Sequence, residues 1–202
     1  MKRIVAAISV LATVLVACAP GTSSSSQSVN PYFDVTVNGQ ELKHVSGSTS
    51  PFQYSQKDFI LFLDLGNAER YSGKTAAVEG VRLVLGNQTD SAIDIVWNDS
   101  TFIDPAGASS RVFHYGVKFV DRNNSLPPTV VAPHARVDDE VFPTDYAEYG
   151  TYSGWYDIPV VNMAAVQKTT FRIYLVLEVD GQKTPLDITF KGTNPPTTNS
   201  AS

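Results

Sequence analysis

In 202 residues the chain has one cysteine, two methionines and three histidines, and only 17% of its residues are charged. A single thiol excludes an internal disulfide, so stability has to come from burial. The histidines, His44, His114 and His134, stand far apart. Zinc sites need donors at short fixed spacings, and that pattern is missing; no metal or cofactor is expected. A net charge of −5 without a basic run argues against a polyanion-binding surface, so nucleic acid is not an expected partner. Apolar runs of spanning length are missing too: Ile4 to Val16 gives about 13 residues, against the roughly 17–25 a lasting transmembrane helix requires. Helical periodicity is equally scarce, with "VVNMAAVQK" offering one or two turns at most.

The N-terminus has a pattern of its own. A basic start, Met1-Lys2-Arg3, leads into the apolar run and then into Ala17-Cys18-Ala19-Pro20, the layout of a secretory signal. Cleavage after Ala19 would cut before Pro20, where proline is poorly accepted, whereas cleavage before Cys18 meets no such obstacle. Leu15-Val16-Ala17-Cys18 resembles the lipobox of bacterial lipoproteins, in which the cysteine thiol receives a diacylglycerol and becomes the new N-terminus. The resemblance implies a signal peptide over 1–17 and a membrane anchor at Cys18. Each buried methylene contributes about 0.8 kcal/mol, so two or three acyl chains such as palmitate hold durably where one holds marginally. Ala19 after the anchor resembles the sorting signal for the periplasmic face of an outer membrane; in a host with one membrane the domain would stand on that membrane's outer face. Loss of Lys2 and Arg3 with the signal takes the formal charge from −5 to −7.

Residues 18–31 continue as "CAPGTSSSSQSVNP"-type linker, too polar to bury anything and able to reach on the order of 20 Å as a flexible coil. The end of the chain, 192–202, is expected to fray in the same way. Residues 32–191 read as one domain, without repeat or second linker. Its grammar is that of strands: short runs of Val, Ile, Thr, Tyr and Phe punctuated by Asn-Gly, Asp-Gly and Asp-Pro. In "TTFRIYLVLEVDGQKTPLDITFKG", Phe171, Ile173, Leu175, Leu177 and Val179 alternate onto one face, and Asp180-Gly181 supplies the positive φ of a tight hairpin. Asn38-Gly39 repeats the device. Val81, Leu83 and Leu85, then Ile93, Ile95 and Trp97, alternate on either side of "GNQTDS"; "DPAG" turns the chain between Thr101–Ile103 and Arg111–Phe113. "DFILFLDLGNAER" is too continuously apolar for periodicity to decide. One-sided strands need a second sheet, so an all-β, immunoglobulin-like antiparallel β-sandwich of seven to nine strands is expected.

"IDIVWNDSTFIDPAGASSRVFHYGVKF", with "PPTVVAP" and "VFPTD" after it, is similar to a pattern found in uncharacterised small bacterial envelope lipoproteins with immunoglobulin-like domains. The similarity runs from Val81 to Pro143 and implies the fold without an activity. Trp97 is expected in the core between the sheets.

Motifs of catalysis are not apparent. "GTYSG" has its serine one place late for a nucleophile elbow. "DRNNS" at 121–125 starts like a calcium loop, but Leu126 stands where a glycine is needed and Ala132 where a bidentate glutamate belongs. "DDE" at 138–140 reads as a polar strand edge, and the sequons at Asn87 and Asn98 as incidental. One anomaly remains: residues 145–157, "DYAEYGTYSGWYD", hold four of the nine tyrosines and one of the two tryptophans. Such aromatics bring large contact area at low entropy cost. Tyr146, Tyr149, Tyr152, Trp155 and Tyr156 are therefore candidate ligand-binding residues on a loop at the sandwich rim; the alternative is a lid folded over a sheet edge. The expected function is non-enzymatic: a lipid-tethered envelope module that binds or scaffolds another envelope protein. A glycan or small-ligand receptor using the same aromatics is the alternative, and a hydrolase comes third.

Overall fold

A computed structural model of the chain describes residues 33–43, 52–65, 77–151, 154–158, 160–162 and 168–193, with the description of 77, 154–157 and 162 limited to the backbone. Sixteen strands follow one another: β1 (Phe33–Val37), β2 (Gln40–Glu41), β3 (Phe52–Ser55), β4 (Phe59–Asp64), β5 (Ala77–Val78), β6 (Val81–Asn87), β7 (Ile93–Ile95), β8 (Thr101–Ile103), β9 (Ser109–His114), β10 (Thr129–Val131), β11 (Arg136–Pro143), β12 (Ala147–Gly150), β13 (Gly154–Asp157), β14 (Val161–Asn162), β15 (Thr170–Val179) and β16 (Gln182–Gly192). All their pairings are antiparallel. Only short 3-10 turns interrupt them among the described residues. The protein is all-β, as its turn chemistry and alternation require.

Twelve strands form one sheet in the order β2-β1-β16-β15-β8-β9-β11-β6-β4-β3, with β7 paired to β15 and β10 to β7. It curls into a half-barrel, consistent with a β-sandwich-like arrangement in which β9 passes from one half to the other. The inward rows carry the apolar side chains: Phe33, Val35 and Val37 from β1, Phe171 to Leu177 from β15, and Leu186, Ile188 and Phe190 from β16. Facing them are Leu61 and Leu63 from β4 and Val81, Leu83 and Leu85 from β6. Burying each such side chain is worth about 1.5–3 kcal/mol. Phe171 is the hub of an aromatic stack, with Phe102 at 5.5 Å, Phe190 at 4.7 Å and Phe33 edge-on at 5.8 Å.

Both expected hairpins form. Asp180 and Gly181 take φ of 50° and 75°, and Asn38 and Gly39 take 51° and 78°, the left-handed pair that a two-residue turn between twisted strands requires. Asn38 also ties its turn to the neighbouring strand: its Oδ1 accepts from Asp187 N–H at 2.8 Å.

Two expectations are corrected and one open stretch is decided. Sixteen strand segments are described where seven to nine were expected, because several long edges are shared by short pieces: β8 and β7 pair in succession with the two ends of β15, and β2, β5 and β14 are two residues each. The continuous run at 59–64 is a strand, β4, paired with β3 along one edge and β6 along the other; Phe59, Leu61 and Leu63 are buried on one face, and Ile60 and Phe62 are half-buried on the other. "DDE" lies within β11 and pairs with β6 on one side; β9 pairs with the following residues, Val141 to Pro143, on the other. Val161 and Asn162 in the candidate helical stretch pair as β14 with β5, and residues 163–167 lie outside the described residues. So do residues 1–32, with the expected signal, Cys18 and linker, and residues 194–202 of the expected tail, whereas Gly192 pairs with Phe33 at the end of β16.

Candidate functional site

Two places in the fold combine aromatic and acidic side chains. The first is the seam where β7 and β8 meet along β15. Between them the chain makes a 3-10 turn, Trp97–Asp99, that opens the ladder opposite Val176. The gap is closed by other groups: Val96 N–H donates to Val176 C=O at 2.8 Å, Val176 N–H donates to Ser100 Oγ at 3.1 Å, and Ser100 Oγ–H donates to Val96 C=O at 2.8 Å. Trp97, 1% exposed, is turned into the core as expected. Its Nε1–H donates to Thr129 Oγ1 at 2.8 Å, and its ring stacks on His114 at 4.5 Å and 11°.

His114 lies on β9 opposite Val141, and its Nδ1 is 2.9 Å from Asp139 Oδ2. Asp139 Oδ1 accepts from the N–H groups of Tyr115 at 3.1 Å and Glu140 at 2.8 Å. A carboxylate that already takes two backbone donors can only accept from the imidazole as well, so Nδ1 carries a proton in this contact. The Asp139 side chain is 8% exposed and that of His114 17%. Alternation along β11 carries a signal for this pair: Val137, Asp139 and Val141 share a parity, which puts an acid among inward-facing residues.

Around the seam, side chains tie down irregular backbone. Arg111 donates to the carbonyls of Asn123 at 2.6 Å and Asn124 at 2.9 Å and to Asn98 Oδ1 at 3.0 Å; Asn98 in turn bonds Leu126 N–H and C=O. The "DRNNS" segment is thus a clamped surface loop. Asn87, 5% exposed, donates from Nδ2 to the carbonyls of Ser91, Val131 and Ala132. Its amide is a strut between two turns. On the outer face of β6 and β11, Arg82 holds Asp138 with two bonds and depresses its carboxyl, whereas burial pushes Asp64 and Glu79 up, Glu79 with help from Glu140. His134, with φ of 55°, is exposed and meets Asp90 at 2.9 Å.

The second place is the Tyr-rich segment, and here the rim loop becomes a hairpin. β12 and β13 pair with each other, Tyr149 opposite Trp155 and Glu148 opposite Tyr156, and with no other strand among the described residues. Tyr149 is 66% exposed. Tyr146 differs. It sits in the 3-10 turn Thr144–Tyr146 at the hairpin root, half-buried against the core, and its hydroxyl donates to Asp104 Oδ2 at 3.0 Å. Burial, with the Asp104 carboxylate beside it, pushes its phenol up to about 12. Asp104 Oδ1 accepts from Ala106 and Ala108 N–H, both at 2.8 Å, so one carboxylate closes the "DPAG" turn and holds the hairpin root. Tyr152 and His44 lie outside the described residues, and of Trp155 and Tyr156 the backbone positions alone are described.

Of the candidate residues, Tyr149, Trp155 and Tyr156 stand on the two strands of one hairpin, and Tyr146 sits at its root, turned to a different task. Asp104 is the residue that the sequence reading misses; its signal is the Asp-Pro-x-Gly turn, whose acid has one oxygen to spare. Among the described residues no group of three or more His, Cys, Asp or Glu side chains converges to hold a metal ion. No family model matches the chain, and a search of curated proteins finds no match.

Proposed function

We propose that the chain is an exported lipoprotein whose immunoglobulin-like sandwich, tethered through Cys18, presents the β12–β13 hairpin to another protein of the cell envelope. The carrying observation is the hairpin itself: a two-stranded ribbon that, among the described residues, pairs with neither half of the main sheet and displays Tyr149 at 66% exposure. A ribbon this short is marginal alone, and its root contacts supply the support. Exposed aromatics on a supported element are the composition of hot spots. The tether adds its own contribution, because confinement to a surface raises the effective concentration of membrane-bound neighbours without any new contact. The mature charge of −7 leaves the acyl chains, rather than a basic patch, to hold the bilayer.

Chemical crosslinking in intact cells tests recognition. The wild type is expected to give one reproducible adduct that is lost when Tyr149, Tyr152 and Trp155 are changed to Ala; an unchanged adduct removes the hairpin from the function. Mass spectrometry of the purified N-terminus tests the anchor, with a diacylated, acyl-bearing Cys18 expected and an unmodified N-terminus at any other residue fatal to it.

A further inference from the structure

The root of the hairpin is built differently from its tip. The Tyr146 hydroxyl donates a hydrogen bond to Asp104 Oδ2, and Asp104 spends its other oxygen on the two N–H groups of its own turn. Ile158 N–H donates to Tyr146 C=O at 2.6 Å, closing the base of the hairpin across its two arms. In the same 3-10 turn, Thr144 C=O accepts from Arg122 Nε at 3.1 Å. A side chain so committed is poorly placed to touch a partner, but well placed to decide where the hairpin stands.

Resting on the recognition reading above, we infer that Tyr146 and Asp104 are positioning residues: their hydrogen bond locks the β12–β13 hairpin to the β8–β9 turn, so that Tyr149 is presented at a fixed angle to the sandwich. Fixing the element beforehand lowers the ordering cost at the moment of binding, which is where a preorganised surface gains affinity. The bond does this without adding contact area. Its donor is a phenol and its acceptor a carboxylate held by two backbone donors, so neither partner has a competing local arrangement.

Tyr146→Phe removes the hydroxyl and keeps the ring. In the full chain held in detergent, amide exchange across 147–150 and 154–158 is expected to quicken about tenfold, the loss of one net hydrogen bond felt by a locally opening unit. Exchange in β15 and β16 and the global unfolding midpoint stay as in the wild type, and the yield of the crosslinked adduct falls several-fold. Asp104→Ala behaves alike. Asp104→Asn restores protection, because its amide oxygen still serves the turn while its Nδ2–H donates to the tyrosine oxygen. Unchanged exchange in Tyr146→Phe overturns the inference; so does acceleration that spreads to β15 and β16, which makes Tyr146 an ordinary packing residue. If Tyr149→Ala keeps the adduct while Tyr146→Phe loosens the hairpin, the recognition reading fails and the lock stands as a structural one only.

Discussion

Two hairpins in this molecule use the same geometry for opposite ends. β15 and β16 pair over all ten residues of β15, and the far edge of β15 is occupied by β7 and β8. Its sequence alternates apolar and polar side chains, and every inward residue from Phe171 to Leu177 is buried. β12 and β13 pair over four residues and with nothing else among the described residues; "AEYG" has no aliphatic side chain larger than alanine. The first hairpin is held by burial and its tip is a tight turn. The second is held by contacts at its root, leaving aromatic surface outside the core. Strand pairing alone therefore says little about an element's role; what the pairing residues bury decides it.

The contrast ranks substitutions by their effect on global stability. Phe171→Ala heads the order. It removes the ring on which Phe33, Phe102 and Phe190 pack, and is expected to cost about 3–5 kcal/mol, read as the urea midpoint. Ser100→Ala comes next, at about 1–3 kcal/mol, because Val176 N–H loses its acceptor inside the sheet. A value near zero would mean that the seam between β7 and β8 relaxes to satisfy Val176 another way. Gly181→Ala follows at about 1 kcal/mol, the strain of a Cβ at φ of 75°. All three act on the first hairpin, and none should change hairpin β12–β13 beyond its share of global unfolding.

Turn chemistry and alternation make the first hairpin legible in the amino-acid sequence, since Asp180-Gly181 and the Phe171 to Val179 alternation are local properties of ten or so residues. The same holds for the Asn38-Gly39 and Asp104 turns. Pairing between distant segments is not local. Nothing near Asp138 tells that β11 pairs with β6 along Arg136 to Val141 and with β9 only from Val141 to Pro143. The His114–Asp139 contact spans 25 positions, and its only trace is an acid at an inward parity. The aromatic segment is recognisable by composition. Its form as a hairpin is not, because "AEYG" and "GWYD" carry neither alternation nor large aliphatic residues.

Alkali offers a way to loosen the second hairpin while sparing the first. The Tyr146 phenol is pushed up to about 12, chiefly by burial, against about 10 in an unfolded chain. A group whose folded value is raised contributes stability that is whole below the unfolded value and lost as pH climbs through the folded one. From about pH 10 to about 12 the root should therefore weaken. The check is the phenolate absorbance of the wild type minus that of Tyr146→Phe. A difference titrating near 12 supports a buried, bonded hydroxyl, and one near 10 means that the root is open to water.

The smallest effect on stability belongs to the substitution with the largest expected effect on function. Tyr149 is 66% exposed on a four-residue strand, so truncating it to Ala removes little buried area, and the unfolding midpoint should stay within about 0.5 kcal/mol of the wild type. If the hairpin were a lid over a sheet edge, the outcome would differ: its aromatic face would lie against the sandwich, and Tyr149→Ala would leave a cavity and cost several times more. The same measurement thus separates presentation from cover. An unshifted urea midpoint together with loss of the crosslinked adduct fits a ribbon whose ring meets another molecule. A destabilisation approaching that of Phe171→Ala would erase the difference between the two hairpins, because both would then be held by what they bury.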